Sequence, residues 1–124
     1  MHWLPILAAA VVLAGLALIK RMSFVSKEAA RRHLADGALV IDVRSPEEFR
    51  SGSVLEAINI PLGELGDKIR QRVQDKNRVL LVHCLSGGRS ALARQQLKRL
   101  GYAHVFNLGS LRRARAVVES ARRR

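Results

Sequence analysis

The residues of this chain best suited to chemistry lie between Arg78 and Ser90. Val79 to Val82 is a short apolar run with the length and β-branched content of a buried strand, and it delivers Cys84, the only cysteine, to a loop containing Gly87 and Gly88. A helical pattern follows at once. A strand, a glycine loop and a helix in that order aim backbone N–H groups and the positive end of a helix dipole at whatever sits on Cys84. The same environment, with the Arg89 guanidinium nearby, favours the thiolate over the thiol, which ordinarily has a pKa of about 8.5. A lone cysteine in an apolar run is by default a small core residue. The two glycines and the arginine that follow it point instead to a nucleophile whose product is an anion on sulfur.

The elements that must position this loop can be read on either side of it. Ser26 caps a helix over Lys27 to Asp36, with Ala30 and Leu34 four apart and Gly37 as its stop. Ala38 to Val43 reads as a strand that is apolar without alternation, as expected where helices cover both faces, with Asp42 and Arg44 at its carboxyl end. Ser45, Pro46 and Glu48 form a capping box for a short helix ended by Gly52, a role that explains Glu47 and Glu48 without any site. Ala57 to Ile60 is a further strand stopped by Pro61. Leu65, Ile69 and Val73 then make an apolar stripe on a helix over Leu62 to Asp75. After the cysteine loop, a helix over Ser90 to Leu100 carries Leu97 and Leu100 inward and Arg94, Lys98 and Arg99 outward. Val105 to Leu108 is the last strand, and a final helix has Leu111, Ala114, Val118 and Ala121 on one side. Alternating strands and helices imply a three-layer α/β domain with a mainly parallel sheet, whose sites lie at the carboxyl ends of the strands, where Cys84 and Asp42 both fall.

Length and composition set the frame. The chain has 124 residues, enough for one compact domain of about a hundred residues after the N-terminal segment. One cysteine excludes an intramolecular disulfide framework and a cysteine-rich zinc site, and the four scattered histidines offer no metal-ligand spacing, so neither a metal nor another cofactor is expected. Trp3 to Ile19 holds no charged residue, and Lys20 and Arg21 close the run. This predicts a transmembrane anchor over residues 1–21, with the domain of residues 22–124 in the cytoplasm by the positive-inside rule. The alternative is a signal peptide cleaved near Gly15 and Ala17, which would make the protein secreted or periplasmic; the charge lies on the wrong side of the run for that.

The net charge is +12, concentrated late in Arg94, Lys98, Arg99, Arg112, Arg113, Arg115 and the terminal Arg122, Arg123 and Arg124. With little aromatic interleaving and no nucleic-acid motif, the expectation is a solvated basic face beside anionic lipid, with nucleic acid not the expected partner.

Four stretches together resemble a single-domain rhodanese: Asp42-Val43-Arg44-Ser45-Pro46-Glu47-Glu48-Phe49; Ala57-Ile58-Asn59-Ile60-Pro61; Cys84-Leu85-Ser86-Gly87-Gly88-Arg89-Ser90; and Gly101-Tyr102 with Val105 and Leu108. The resemblance implies a three-layer rhodanese-like domain with a mainly parallel five-stranded sheet, and a sulfurtransferase. By analogy Cys84 takes the outer sulfur of thiosulfate as a persulfide and passes it to cyanide or a thiol. The N–H groups from Leu85 to Ser90 would hold the anion, Ser86 adding its hydroxyl, and Arg89 would supply a cation near the donor's oxygens. Asp42 and Arg44 are carried by the same pattern, as loop-holding rather than catalytic groups, and His83 is read as structural. A sulfur-relay protein is a further expected partner. The alternative reading is a persulfide carrier or regulatory module that docks a partner without turning over thiosulfate.

Cysteine phosphatases offer the rival chemistry, with five residues between cysteine and arginine. This chain has four, Leu85 to Gly88, a cradle sized for sulfur rather than for a tetrahedral phosphate. The sequence departs from the family at Ser110, where a glycine is usual, at Ala114, near the place of a tryptophan, and in the spacer Ser53 to Glu56, which lacks the usual histidine and glycine.

Overall fold

The computed structural model describes residues 2–123, the side chains of residues 18–23 excepted. Helix α1 (Leu4–Ser23) precedes an alternation of α2 (Lys27–Ala35), β1 (Leu39–Asp42), α3 (Pro46–Ser51), β2 (Ile58–Asn59), α4 (Leu65–Arg72, entered through a 3₁₀ turn), β3 (Leu80–His83), α5 (Gly88–Arg99), β4 (Val105–Gly109) and α6 (Leu111–Arg122). The four strands form one parallel sheet in the order β2-β1-β3-β4. The cysteine strand β3 is therefore central, with β1 on one side and β4 on the other.

Each strand sends alternate side chains to opposite faces, and both faces are covered, which is why the strands read as unbroken apolar runs. Ile41, Leu80 and Val82 meet Leu65 and Ile69 of α4 and Ala93 and Leu97 of α5. On the other face Val40, Leu81 and Leu108 meet Ala30 and Leu34 of α2 and Ala114, Val117 and Val118 of α6. The stripe Leu65, Ile69 and Val73 is buried as its spacing requires.

Among the described residues the sheet has four strands, not five. A fifth would lie outside β4, where the Val25 N–H donates to the Asn107 carbonyl at 2.9 Å. Ser26 then caps α2 by accepting from the Ala29 N–H, so the chain turns away after that one bond.

The expected membrane anchor is overturned too: among the described residues no helix is long and apolar enough to cross a membrane. Helix α1 has 20 residues, but its uncharged part runs only from Leu4 to Ile19. At 1.5 Å per residue that is about 24 Å, short of a hydrocarbon core of about 30 Å. The single-pass membrane topology and the cytoplasmic placement inferred from it fall with the anchor. Neither does the late basic run form a uniformly solvated face. The Arg94 Nε–H donates to the Val105 carbonyl, Arg113 donates to the carbonyls of Leu108 and Val25, and Arg122 pairs with Glu56. Arg124 lies outside the described residues.

The family departures have local explanations. Ser110 caps α6 by accepting from the Arg113 N–H at 3.1 Å, a contact a glycine would lack. Ala114 is fully buried under the sheet, and Val54 of the altered spacer is buried as well.

Asp42 and Arg44 form a buried ion pair at the carboxyl end of β1. Asp42 accepts from the Arg44 backbone N–H at 2.9 Å and from its Nη2 at 2.7 Å, and the same Nη2 donates to the Gly52 carbonyl at 2.7 Å. The pair thus ties the segment bearing α3 to the sheet. Removing one partner leaves an uncompensated buried charge, so Arg44→Met is expected to cost about 3–5 kcal/mol of stability, read by urea denaturation, whereas a surface change such as Arg50→Met should cost under about 0.5 kcal/mol.

Candidate active site

Strand β3 ends at His83, and the Cys84 N–H donates to the Gly109 carbonyl of β4 at 3.2 Å, holding the cysteine at the sheet's carboxyl edge. The chain then turns through Gly87, whose φ of +107° lies in the left-handed region that favours glycine, and Gly88 begins α5. This turn points the Gly87 N–H at the Cys84 Sγ, 3.0 Å away. The Ser90 hydroxyl lies 3.5 Å from the same sulfur.

Cys84 is only 1% exposed, and burial by itself pushes a thiol's pKa up. The donors around Sγ more than offset this: the Ser90 hydroxyl and the N–H groups of Ser90, Gly87 and Ser86 bring Cys84 below its ordinary value. Hydrogen bonds to the charged form are what make a buried sulfur anion tenable.

The loop residues separate into distinct positions. Gly87 and Ser90 are buried beside the sulfur, while Leu85, Ser86 and Gly88 lie at the surface, Leu85 with 55% of its area exposed. Arg89 does not stand free over Cys84. Its Nη1 and Nη2 donate to the two Glu48 carboxylate oxygens at 2.6 and 2.9 Å, joining the start of α5 to the start of α3. This pairing raises the Arg89 pKa, and the Arg89 hydrogen bond, ahead of the Ser45 N–H, lowers Glu48 from 4.5 to about 2. Glu48 also completes the capping box with Ser45, and that role concealed its partner in the sequence.

Asp42 and Arg44 bond to each other and to the Gly52 carbonyl, whereas the bonds to the sulfur come from Gly87 and Ser90. His83 is fully buried; its Nδ1 lies 3.2 Å from the Cys84 carbonyl oxygen, and its Nε2, without a hydrogen-bond partner among the described residues, lies 3.8 Å from Asp42. Burial lowers its pKa, Asp42 opposing, so it stays neutral and structural.

Two residues near the loop escaped the sequence reading. Phe24 packs its ring over Gly87 and Gly109, with the Arg113 guanidinium 5.3 Å from the ring centre. Asn107 of β4, buried to 1% exposure, bonds to Ser90, Gly87 and Gly109. Its signal was available: it is the one polar residue in the apolar run Val105 to Leu108.

A parallel α/β sheet that delivers a buried cysteine into an amide-lined turn at a helix start defines a rhodanese-like domain. Comparison with known proteins agrees: the model of the family described as rhodanese-like domain matches residues 26–112. The Escherichia coli thiosulfate sulfurtransferase PspE is 44% identical over 72 residues, covering 58% of this chain and 69% of its own. A sulfurtransferase of Allochromatium vinosum is 33% identical over 86 residues, covering 68% of this chain and 78% of its own. Among solved structures, the human single-domain sulfurtransferase TSTD1 superposes with a TM-score of 0.63 at 31% identity, over 73% of this chain and 92% of that one. An E. coli rhodanese with anions gives a TM-score of 0.60 at 42% identity, over 62% and 91%. The chain belongs to the rhodanese-like family and is a rhodanese-type sulfurtransferase.

Two outcomes follow from this geometry. A Cβ at Gly87 would sit 2.6 Å from Phe24 Cε1 in a backbone conformation that side chains disfavour. Gly87→Ala is therefore expected to cost about 1–3 kcal/mol and to raise the Cys84 pKa as the N–H leaves Sγ, both measurable on purified protein. Adding Phe24→Ala should relieve the clash but not the backbone strain. The second outcome concerns acid. Glu48 has a lower pKa folded than unfolded, so its contribution to stability is complete above about pH 4.5 and is lost as pH falls toward about 2. Glu48→Gln keeps a capping acceptor but not the charge, and should flatten the acid limb of the stability profile over that window.

Proposed function

We propose that Cys84 is the sulfur-accepting nucleophile and that the turn from Leu85 to Ser90 is its anion cradle. The Sγ thiolate attacks the outer sulfur of thiosulfate; the new Sγ–S bond forms as the bond to the sulfonate sulfur breaks, and its electron pair leaves on sulfite. An acceptor thiolate or cyanide then attacks the outer sulfur of the persulfide, and the electron pair returns to Sγ. No net oxidant is required.

The observation that carries this reading is the Gly87 N–H bonded to a cysteine sulfur that is almost wholly removed from water. Preorganised amides there stabilise charge as it develops, without reorganising. The start of α5, a helix of 12 residues, adds the positive end of its dipole. Because Glu48 engages both terminal nitrogens of Arg89, anion binding falls chiefly on the backbone, with Arg89 holding α5 against α3. The overall charge of +12 draws dianions toward the domain at low salt. The four-residue span from Cys84 to Arg89 favours sulfur over phosphate, and the E. coli relative's name supports thiosulfate as donor.

The test is turnover of thiosulfate and cyanide, followed by sulfite release and thiocyanate formation. Wild-type protein should turn over and carry one extra sulfur atom after exposure to thiosulfate alone, and Cys84→Ala should fall to the background rate without the added mass. Equal activity in that variant would remove the mechanism. An inert wild type that takes up sulfur on Cys84 from a cysteine desulfurase would establish the carrier reading instead.

A further inference from the structure

The Ser90 hydroxyl has one proton and three acceptors within reach: the Asn107 Oδ1 at 2.7 Å, the Gly87 carbonyl at 3.1 Å and the Cys84 Sγ at 3.5 Å. The nearest acceptor is on a neighbouring strand. Asn107 is also oriented without ambiguity, because the Gly109 N–H donates to its Oδ1 at 2.9 Å while its own Nδ2 donates to the Gly87 carbonyl at 3.1 Å. A flipped amide would set donor against donor at Gly109 and acceptor against acceptor at Gly87, both in a buried place where unpaired polar groups are costly. Ser90 is fully buried and Asn107 nearly so, and solvent does not compete for the proton.

We propose that Asn107 is a positioning residue for the sulfur chemistry, its side-chain oxygen competing with the Cys84 Sγ for the single Ser90 hydroxyl proton. When the sulfur is protonated or carries a second sulfur, Sγ bears no full charge and the Ser90 proton rests on Asn107. When Sγ is an anion it draws that proton, and the Asn107 Oδ1 keeps only the Gly109 N–H. The thiolate therefore gains less from Ser90 than it would without Asn107, and it retains nucleophilicity, since a more strongly stabilised thiolate attacks more slowly. After sulfur loading the Sγ electron pair lies in the new Sγ–S bond, and the Ser90 proton returns to the Asn107 Oδ1, so the buried hydroxyl is not left an unsatisfied donor.

This inference rests on Cys84 being the sulfur nucleophile, but its test reads the thiol and not turnover. The charged and titratable groups around Cys84 are Arg89 of α5 with its partner Glu48 of α3, the Asp42–Arg44 pair at the end of β1, neutral His83 of β3, and, from α6, Arg113 over the Phe24 ring and Arg115, whose charge reaches His83. Asn107 bonds to none of them, so they act alike in every variant below.

The experiment is the pH dependence of Cys84 alkylation by iodoacetamide in wild type, Asn107→Ala, Ser90→Ala and the double variant. Removing the nearest competitor leaves the Ser90 proton to Sγ and to the neutral Gly87 carbonyl, and the anionic sulfur draws it more strongly than the carbonyl does, so Asn107→Ala should lower the midpoint by about half to one pH unit and reduce the limiting high-pH rate about two- to threefold. Ser90→Ala should raise the midpoint, and in its background Asn107→Ala should have no further effect. A purely structural Asn107 predicts the opposite sign, because loosening the Gly87 turn would raise the midpoint. A raised or unchanged midpoint, or a shift that persists without Ser90, overturns the proposal. Should Asn107→Ala not fold, Asn107→Ser, too short to reach Ser90, is expected to give the same downward shift and is judged by the same criteria. A wild type that shows this thiol coupling but does not turn over thiosulfate would instead count against the sulfur-transfer reading.

Discussion

A cysteine buried to 1% exposure, its thiol held below the ordinary pKa, is the constraint from which most of this structure follows. Burial opposes the anion, so the protein must surround Sγ with donors, and the cheapest rigid donors are backbone N–H groups. A turn tight enough to aim them needs a left-handed residue, which is the place of Gly87. The start of a helix immediately after the turn leaves further N–H groups without intrahelical partners. Strand, glycine turn and helix are thus one device, and the parallel sheet sets its position by placing β3 between two neighbours.

The side chains around that device mostly fix positions and cancel charge. Asp42 and Arg44 neutralise each other inside the domain and fasten the chain as far as Gly52. The helix that this secures, α3, presents Glu48 to Arg89 and so joins the far side of the turn to the sheet. Asn107 closes the circle from β4 through Ser90 and Gly87. Three strands therefore contribute to one short loop, and the guanidinium nearest the sulfur in sequence works as a brace. The arginines late in the chain follow the same logic: Arg94 and Arg113 satisfy backbone carbonyls, and Arg113 also lies over the Phe24 ring that packs on the turn.

Family departures are accommodated without disturbing this arrangement. Ser110 exchanges glycine's freedom for a helix cap, and the small Ala114 lies beneath the sheet. Glu56, in the altered spacer, takes a positive φ of 68° and meets Arg122 at the far end of α6. Glu56 makes its contact at the far end of α6, whereas Ser110 follows Gly109, which borders the Gly87 turn, and caps α6 there without donating to the sulfur.

What the amino-acid sequence determined by itself was local and periodic: four apolar runs, the Ser26 and Ser45 caps, the Leu65, Ile69 and Val73 stripe, and a lone cysteine followed by glycines. These are set by backbone sterics and by burial patterns within a few residues. What depends on the surroundings of an element was misjudged: the family resemblance implied a fifth strand where Val25 makes one bond before turning away, and the uncharged run was read as a membrane span that the helix falls short of. Only the tertiary structure decided that Arg89 faces Glu48, forty-one residues earlier, and that Asn107 reaches Ser90. Such partners are chosen by packing in three dimensions, because a hydrogen bond between distant segments leaves no periodicity along the chain.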